Sequence, residues 1–187
     1  MTAMLATHGF SKGAFVGHSY GTSWLSYICK YAPSAVGALL FLDPICFALH
    51  TPRLTKSFVY HRPDPGTVSF MVRTDIIVNW TIQRAFPWAW IALFVEQINV
   101  PCTVFLSDKD ALVPAEKVEQ YLRSKDFPVC DASSATKDFF VENGDLHLCV
   151  FRGDIHGGWT EHPDDTVPTI AEACHALCLK ADAKEFQ

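Results

Sequence analysis

Residues 15–23 read FVGHSYGTS, and this short stretch carries the strongest signal in the chain. It holds a G-x-S-x-G pattern that runs from Gly17 to Gly21 with Ser19 at its centre. An apolar run precedes the pattern, and apolar side chains at helical spacing follow it. A strand, a serine turn and a helix in this order lift the serine hydroxyl clear of a sheet. The stretch therefore predicts that Ser19 is a nucleophile, against the alternative that it is only a turn residue.

Three further apolar runs, together with residues 14–17, have the composition of strands buried on both faces. They cover residues 36–43, 102–107 and 146–153. Continuous apolarity without alternation is typical of parallel strands that are covered by helices on both sides. Helical patterns follow three of the four runs, so we predict an α/β fold with a mostly parallel sheet of about four strands flanked by helices.

Residues 44–100 interrupt this alternation and are too long and too apolar for a simple crossover loop. We expect a helical cap inserted after the second strand, with helices near residues 67–74 and 76–85. The core would then comprise residues 1–43 and 101–187. Large aromatic side chains in this segment either pack the cap onto the sheet or line an apolar pocket, and packing is the expectation for any single one. They are Trp80, Phe86, Trp88, Trp90 and Phe94.

A nucleophilic serine needs a histidine base and an acid that orients the histidine. Among the eight histidines, His156 alone sits in a glycine-flanked turn after a strand. Asp110 follows the third strand and is the favoured acid. Asp43, which ends the second strand, and Asp108 are the alternatives.

The segments VGHSYG, FLDP, SDKDALVP and IHGGW together resemble the α/β-hydrolase superfamily, in particular its capped members that are esterase-like or lipase-like. Residues 41–63 further resemble a group of eukaryotic, often fungal, members. The resemblance spans nearly the whole chain. It implies a nucleophile at Ser19 in an elbow flanked by Gly17 and Gly21, an acid at Asp110, and a base at His156. It also implies an oxyanion donor at the peptide N–H of Tyr20.

A serine hydrolase acting on a carboxylic ester is the function that this resemblance implies, with no metal and no organic cofactor. The apolar cap favours a small hydrophobic acyl or ester substrate. An acyltransferase would use the same residues, and a non-catalytic remnant is a third alternative.

The region before Ser19 departs from the family pattern. Members carry several strands there and a loop that donates a second oxyanion N–H, whereas this chain has only MTAMLATHGFSKG before the first strand. His8 and Gly9 are expected to end a helix. The strand at residues 14–17 should therefore have one open edge, and we expect an N-terminally shortened, partial α/β-hydrolase fold.

The amino-acid composition limits the classes of binding partner and the cellular location that we expect. The net charge of −5 and the lack of a basic run argue against nucleic acid. The seven cysteines form no C-x-x-C pair, and no signal peptide is evident, so a reduced, cytoplasmic location is expected, subject to what an upstream segment would add. Residues 76–95 are too interrupted for a membrane span, but the cap would suit contact with a membrane surface.

Overall fold

Five parallel strands form one sheet in the computed structural model, which describes residues 2–49, 51–61, 63–85 and 88–185. The spatial order is β1-β2-β3-β5-β4. The strands are β1 (Gly13–His18), β2 (Val36–Leu42), β3 (Cys102–Ser107), β4 (Val129–Asp131) and β5 (Leu146–Phe151). The predicted α/β class and parallel sheet are confirmed.

Nine α-helices are present among the described residues. They are α1 (Thr2–Thr7), α2 (Gly21–Tyr31), α3 (Pro52–Leu54), α4 (Val68–Thr74), α5 (Ile76–Trp80), α6 (Trp88–Ile91), α7 (Ala115–Arg123), α8 (Lys137–Glu142) and α9 (Pro163–Glu185). Wider π-helical turns extend α3 over Thr55–Tyr60 and α5 over Thr81–Ala85. The helices expected near residues 67–74 and 76–85 are therefore found, whereas the boundaries of the cap as a domain stay a prediction.

Helices cover both faces of the sheet, as its continuous apolar strands require. On one face, Leu25 of α2 and Leu122 of α7 pack with side chains of β2 and β3. On the other face, Phe140 of α8 and Leu177 of α9 pack with the alternate side chains of the same strands. Burial on both faces shields the central strands β2 and β3 from water.

The edge formed by β1 is open. Within the described part of the chain, β1 pairs with β2 alone, and the side chain of Val16 on it is exposed. This confirms the expected open edge. The preceding helix α1 ends as expected too, because Gly9 follows it with a left-handed φ of 78°.

Two expectations need correction. The sheet has a fifth strand, β4, which was not predicted because three residues are too few to show a periodic pattern. Packing of the aromatic side chains is wrong for Trp80, Trp90 and Phe94, which are 61%, 60% and 54% exposed. Trp80 and Trp90 lie on short helices that turn one face to solvent, and Phe94 lies in the loop after α6. Trp88 is half-buried, and Phe86 lies outside the described residues.

Candidate active site

Four polar residues predicted from the sequence follow four different strands. Ser19 follows β1, Asp43 follows β2, Asp110 lies beyond β3 and His156 lies beyond β5. Because all the strands are parallel, their carboxyl ends meet at one edge of the sheet. The fold therefore brings these residues together although they are far apart in sequence.

Ser19 lies in a tight turn between β1 and α2. Its φ is 50°, a left-handed value that non-glycine residues rarely adopt. Its N–H donates to the carbonyl of Leu42 at 2.9 Å, and its own carbonyl accepts from the N–H of Thr22 at 3.0 Å. These bonds hold the strained residue between strand and helix.

The two glycines that flank Ser19 differ in their surroundings. A Cβ added at Gly17 would lie 2.0 Å from Leu25 Cδ1 and 3.1 Å from the backbone carbonyl of Gly21, so α2 can approach β1 only over a glycine. At Gly21, by contrast, an added Cβ would meet no described atom within 4 Å, so space does not require a glycine there. A Cβ added at Gly17 would point toward α2, whereas a Cβ added at Gly21 would point into open space.

His156 connects Ser19 to an acid. Its Nε2 lies 2.7 Å from Ser19 Oγ, and its Nδ1 lies 2.6 Å from Asp110 Oδ2. The other oxygen of Asp110 accepts from the N–H groups of Leu112 at 2.7 Å and Val113 at 2.9 Å. These bonds fix the buried carboxylate, so one oxygen faces the imidazole. The geometry thus joins a hydroxyl, an imidazole and a carboxylate in one hydrogen-bonded chain.

Asp43, the alternative acid, has other partners. One carboxylate oxygen accepts from the N–H of Ser107 at 2.7 Å, and the other accepts from the N–H of Gly157 at 2.8 Å. Asp43 is buried and has a positive φ of 43°. It anchors the loop next to His156 instead of bonding to the imidazole. Asp108, the third candidate, accepts from the N–H of Gly153 at 2.7 Å at the start of the same loop.

The surroundings shift the pKa values of two histidines in opposite directions. Burial lowers the pKa of His156, but its hydrogen bond to Asp110 and the charges of Asp110 and Asp43 outweigh burial and raise it above the ordinary value. Burial lowers the pKa of His18, and the neighbouring His156 lowers it further. The charge of Asp43, with an oxygen 3.9 Å from His18 Nε2, acts in the opposite direction without reversing the shift.

His18 is a neighbour that sequence reasoning did not assign to the site. Its ring centroid lies 5.4 Å from that of His156 and 5.5 Å from that of Trp159. A Cβ added at Gly157 would come within 3.4 Å of the His18 ring. His18 therefore packs beside the imidazole of His156. Its position just before Ser19 was the one available signal.

An apolar cavity of about 480 Å³ opens beside Ser19. Its wall combines residues near the strand ends with residues of α5, the following π-helical turn and α6. Among them are Tyr20, Ile45, Leu54, Val78, Ile82, Trp88 and Leu112. Tyr20 also lies at the N-terminus of α2, where backbone N–H groups favour a negative charge. The cavity gives an apolar group direct access to the Ser19 hydroxyl.

Asp43, Asp110 and His156 also form a set of possible metal ligands, with donor atoms within 4.8 Å of one another. The hydrogen bonds described above already use these atoms, and within the described residues no fourth side chain joins these three. The arrangement fits proton transfer better than metal binding.

Comparison with solved structures identifies the architecture. An esterase from Thermogutta terrifontis superposes with a TM-score of 0.51 at 15% identity, over 94% of this chain and 70% of the esterase. The serine hydrolase CarC of carbazole degradation has a TM-score of 0.51 at 16% identity, over 87% of this chain. The chain has part of the α/β-hydrolase fold.

These similarities extend to the fold alone, since the identities are low. The chain spans 63% of the length of CarC. A serine hydrolase from Cycloclasticus zankles gives a similar result, with a TM-score of 0.51 at 10% identity over 89% of this chain and 66% of that protein. No family model matches the sequence, and no curated protein matches it either.

Among the described residues, none of the helices is both long and apolar enough to cross a membrane.

Proposed function

We propose that the chain is a serine hydrolase that cleaves carboxylic esters through an acyl-enzyme at Ser19. The observation that carries the proposal is the pair of short contacts made by the His156 ring, 2.7 Å to Ser19 Oγ and 2.6 Å to Asp110 Oδ2. A serine hydroxyl is a weak nucleophile at neutral pH and needs such a base. The raised pKa of His156 supports the same role, because it makes the imidazole a better proton acceptor.

In the proposed reaction, Ser19 Oγ attacks the acyl carbon while His156 Nε2 takes its proton. Asp110 stabilises the resulting imidazolium at Nδ1. Negative charge develops on the carbonyl oxygen, and the N–H of Tyr20 at the start of α2 is the proposed donor to it. His156 then protonates the leaving alcohol, and a water molecule releases the acyl group by the same steps.

The cavity beside Ser19 favours an apolar acyl group. Its volume of about 480 Å³ falls within the usual range for small-molecule sites, and its wall is mainly aliphatic and aromatic. Each methylene that enters such a wall gains about 0.8 kcal/mol. We therefore propose acyl chains longer than acetyl as the preferred substrates. Transfer of the acyl group to an alcohol or thiol instead of water is the second candidate, because it needs the same residues.

We also propose that residues 68–85 touch a lipid surface. Met71, Ile76, Ile77 and Trp80 are all strongly exposed there, and Ile77 also lines the cavity. Residues 44–85 contain five Lys or Arg and two Asp or Glu, although the whole chain has a net charge of −5. Exposed apolar side chains on a basic segment are typical of contact with anionic membranes. An apolar substrate could then enter the cavity from that surface.

Hydrolysis of a series of p-nitrophenyl esters tests the proposed function. We expect kcat/KM to rise from acetate to longer acyl chains by up to about fourfold per methylene, until the cavity is filled. Ser19→Ala should reduce kcat by about 10⁶, to the residual catalysis that oxyanion stabilisation and binding provide. Ser23→Ala, a change in the same helix region that removes a buried hydroxyl without a hydrogen-bond partner among the described atoms, should leave the rate unchanged. Equal loss in both variants would contradict the proposal.

A further inference from the structure

Two cysteines face each other across the strands β4 and β5. Cys130 and Cys149 are register partners, and their Sγ atoms lie 3.4 Å apart. Neighbouring strands lie about 4.8 Å apart, which is within the Cα separation of about 4.4–6.8 Å that a disulfide allows. Both thiols are free. A bond between them would therefore require little movement of the backbone.

The two thiols differ in exposure. Cys130 is half-buried on the edge strand, whereas Cys149 is buried in the core. A small oxidant can therefore reach Cys130 but not Cys149 directly. An accessible sulfur with a second sulfur next to it is the arrangement found in redox-sensitive thiol pairs.

The hydrogen bond between the two thiols also makes Cys130 the more reactive one. It lowers the pKa of Cys130, with burial and the charge of Asp131 acting in the opposite direction, and it raises the pKa of Cys149. Burial raises the pKa of four other cysteines, which are Cys29, Cys46, Cys102 and Cys174. Since the thiolate is the form of cysteine that attacks a peroxide, reaction should begin at Cys130.

We propose that Cys130 and Cys149 form a peroxide-sensitive pair that a hydroperoxide converts into an intrachain disulfide. The Cys130 thiolate attacks the peroxide O–O bond, which breaks to give a Cys130 sulfenic acid and hydroxide. The Cys149 thiol then attacks the Cys130 sulfur and expels water. Overall, two thiols lose two hydrogens and one hydrogen peroxide becomes two waters. The disulfide would join the edge strand β4 to β5, the strand that leads to His156.

Peptide mapping of the full chain after hydrogen peroxide treatment tests this proposal. Trypsin cleavage after Lys125, Lys137 and Arg152 places Cys130 in residues 126–137 and Cys149 in residues 138–152, each as the only cysteine of its peptide. We expect the two peptides joined, two hydrogens lighter than their sum, and separated again by a reductant. The proposal would be overturned if other cysteines were oxidised while both peptides were recovered unlinked, with their cysteines alkylated.

Two variants test the order of the steps. Cys149→Ser, which keeps a hydroxyl donor next to Cys130, should leave a Cys130 sulfenic acid that dimedone captures, whereas Cys130→Ser should give no dimedone adduct at Cys149. Cys178→Ser, which removes an exposed thiol on α9, is the matched control and should still form the disulfide. A dimedone adduct at Cys149 in the Cys130→Ser protein would contradict the order proposed here. Circular dichroism on each variant shows whether it is folded, and the mapping of the unmodified sequence decides the proposal even if one variant is not.

Discussion

Ser19 combines a strained backbone with a short contact to an imidazole. Positive φ at a non-glycine residue costs of order 1–3 kcal/mol, and the surrounding strand and helix must supply that energy. In return, the hydroxyl lies 2.7 Å from His156 Nε2 at the N-terminus of α2. Strain at this one residue is therefore consistent with the nucleophilic role proposed for it.

Asp110→Asn should impair proton transfer while it preserves the local fold. The amide oxygen can keep the bonds from the N–H groups of Leu112 and Val113, so the amide nitrogen would face His156 Nδ1. Nδ1 would then accept a hydrogen bond, and the ring proton would sit on Nε2, so Nε2 could not accept the proton that Ser19 must lose. We expect kcat to fall by about 10⁴.

The pH profile of the same variant gives an independent measurement. The neutral imidazole is the base, so kcat/KM should rise with pH through the pKa of His156, which lies above the ordinary imidazole value. Loss of the Asp110 charge should lower the pKa of His156, so this rise of kcat/KM, the acidic limb of the pH profile, should move to lower pH. An unchanged limb would show that Asp110 does not interact with the base.

Asp43→Asn serves as the comparison because Asp43 holds the loop and not the ring. Its carboxylate accepts from the N–H groups of Ser107 and Gly157, and an amide nitrogen cannot replace an acceptor there. We expect a loss of about 1–3 kcal/mol in the free energy of unfolding, measured by urea denaturation. The acidic limb should move less than in Asp110→Asn. A larger shift in Asp43→Asn would assign the acid role to Asp43.

The sequence was sufficient to predict which polar residues would meet, since Ser19, Asp110 and His156 each follow an apolar strand of a parallel sheet. It was not sufficient to predict how the two aspartates divide their contacts. Asp43 accepts a hydrogen bond from Gly157, which is 114 residues away. That bond depends on how far β2 and β5 extend at the same edge of the sheet. The packing of His18 against His156 likewise depends on the tertiary fold.

At the scale of elements, the approach of α2 to β1 depends on one glycine. Gly17→Ala would place a Cβ 2.0 Å from the buried Leu25 side chain and 3.1 Å from the Gly21 backbone, so we expect a loss of about 1–3 kcal/mol in the free energy of unfolding. Gly21→Ala has open space and lies in the first turn of a helix, so stability should stay the same or rise by up to about 1 kcal/mol. Urea denaturation of both variants checks this, and equal destabilisation would contradict it.

Strands and long helices were predictable because their apolar patterns are continuous or periodic. The shortest strand was not predictable. The three residues of β4 show no pattern, and their pairing with β5 decides their conformation. The burial of Trp80 and Trp90 was overestimated because short helical segments such as those that carry them bury few of their side chains. Phe94 lies in the loop after α6 and is exposed there.

At the scale of the whole molecule, charge is distributed unevenly between residues 44–85 and the rest of the chain. The proposed lipid contact predicts that the protein cosediments with vesicles of phosphatidylserine and phosphatidylcholine. Binding to these vesicles should weaken in high salt, and binding to vesicles of phosphatidylcholine alone should be weaker than binding to the mixed vesicles. Ile76→Ser together with Trp80→Ser should reduce binding. Val141→Ser, at an exposed apolar position on α8, is the matched control. Equal binding by all variants would contradict the assignment of this face.

The central claim, that Ser19 is an activated nucleophile, is tested most directly by fluorophosphonate labelling followed by mapping of the tryptic peptide 13–30. This reagent modifies activated serines whether the natural acceptor is water or an alcohol. The account predicts one adduct on Ser19, lost in Ser19→Ala, greatly slowed in His156→Ala, and retained in Ser26→Ala within the same peptide. Labelling that persists in Ser19→Ala, or no adduct on a folded protein, would contradict it.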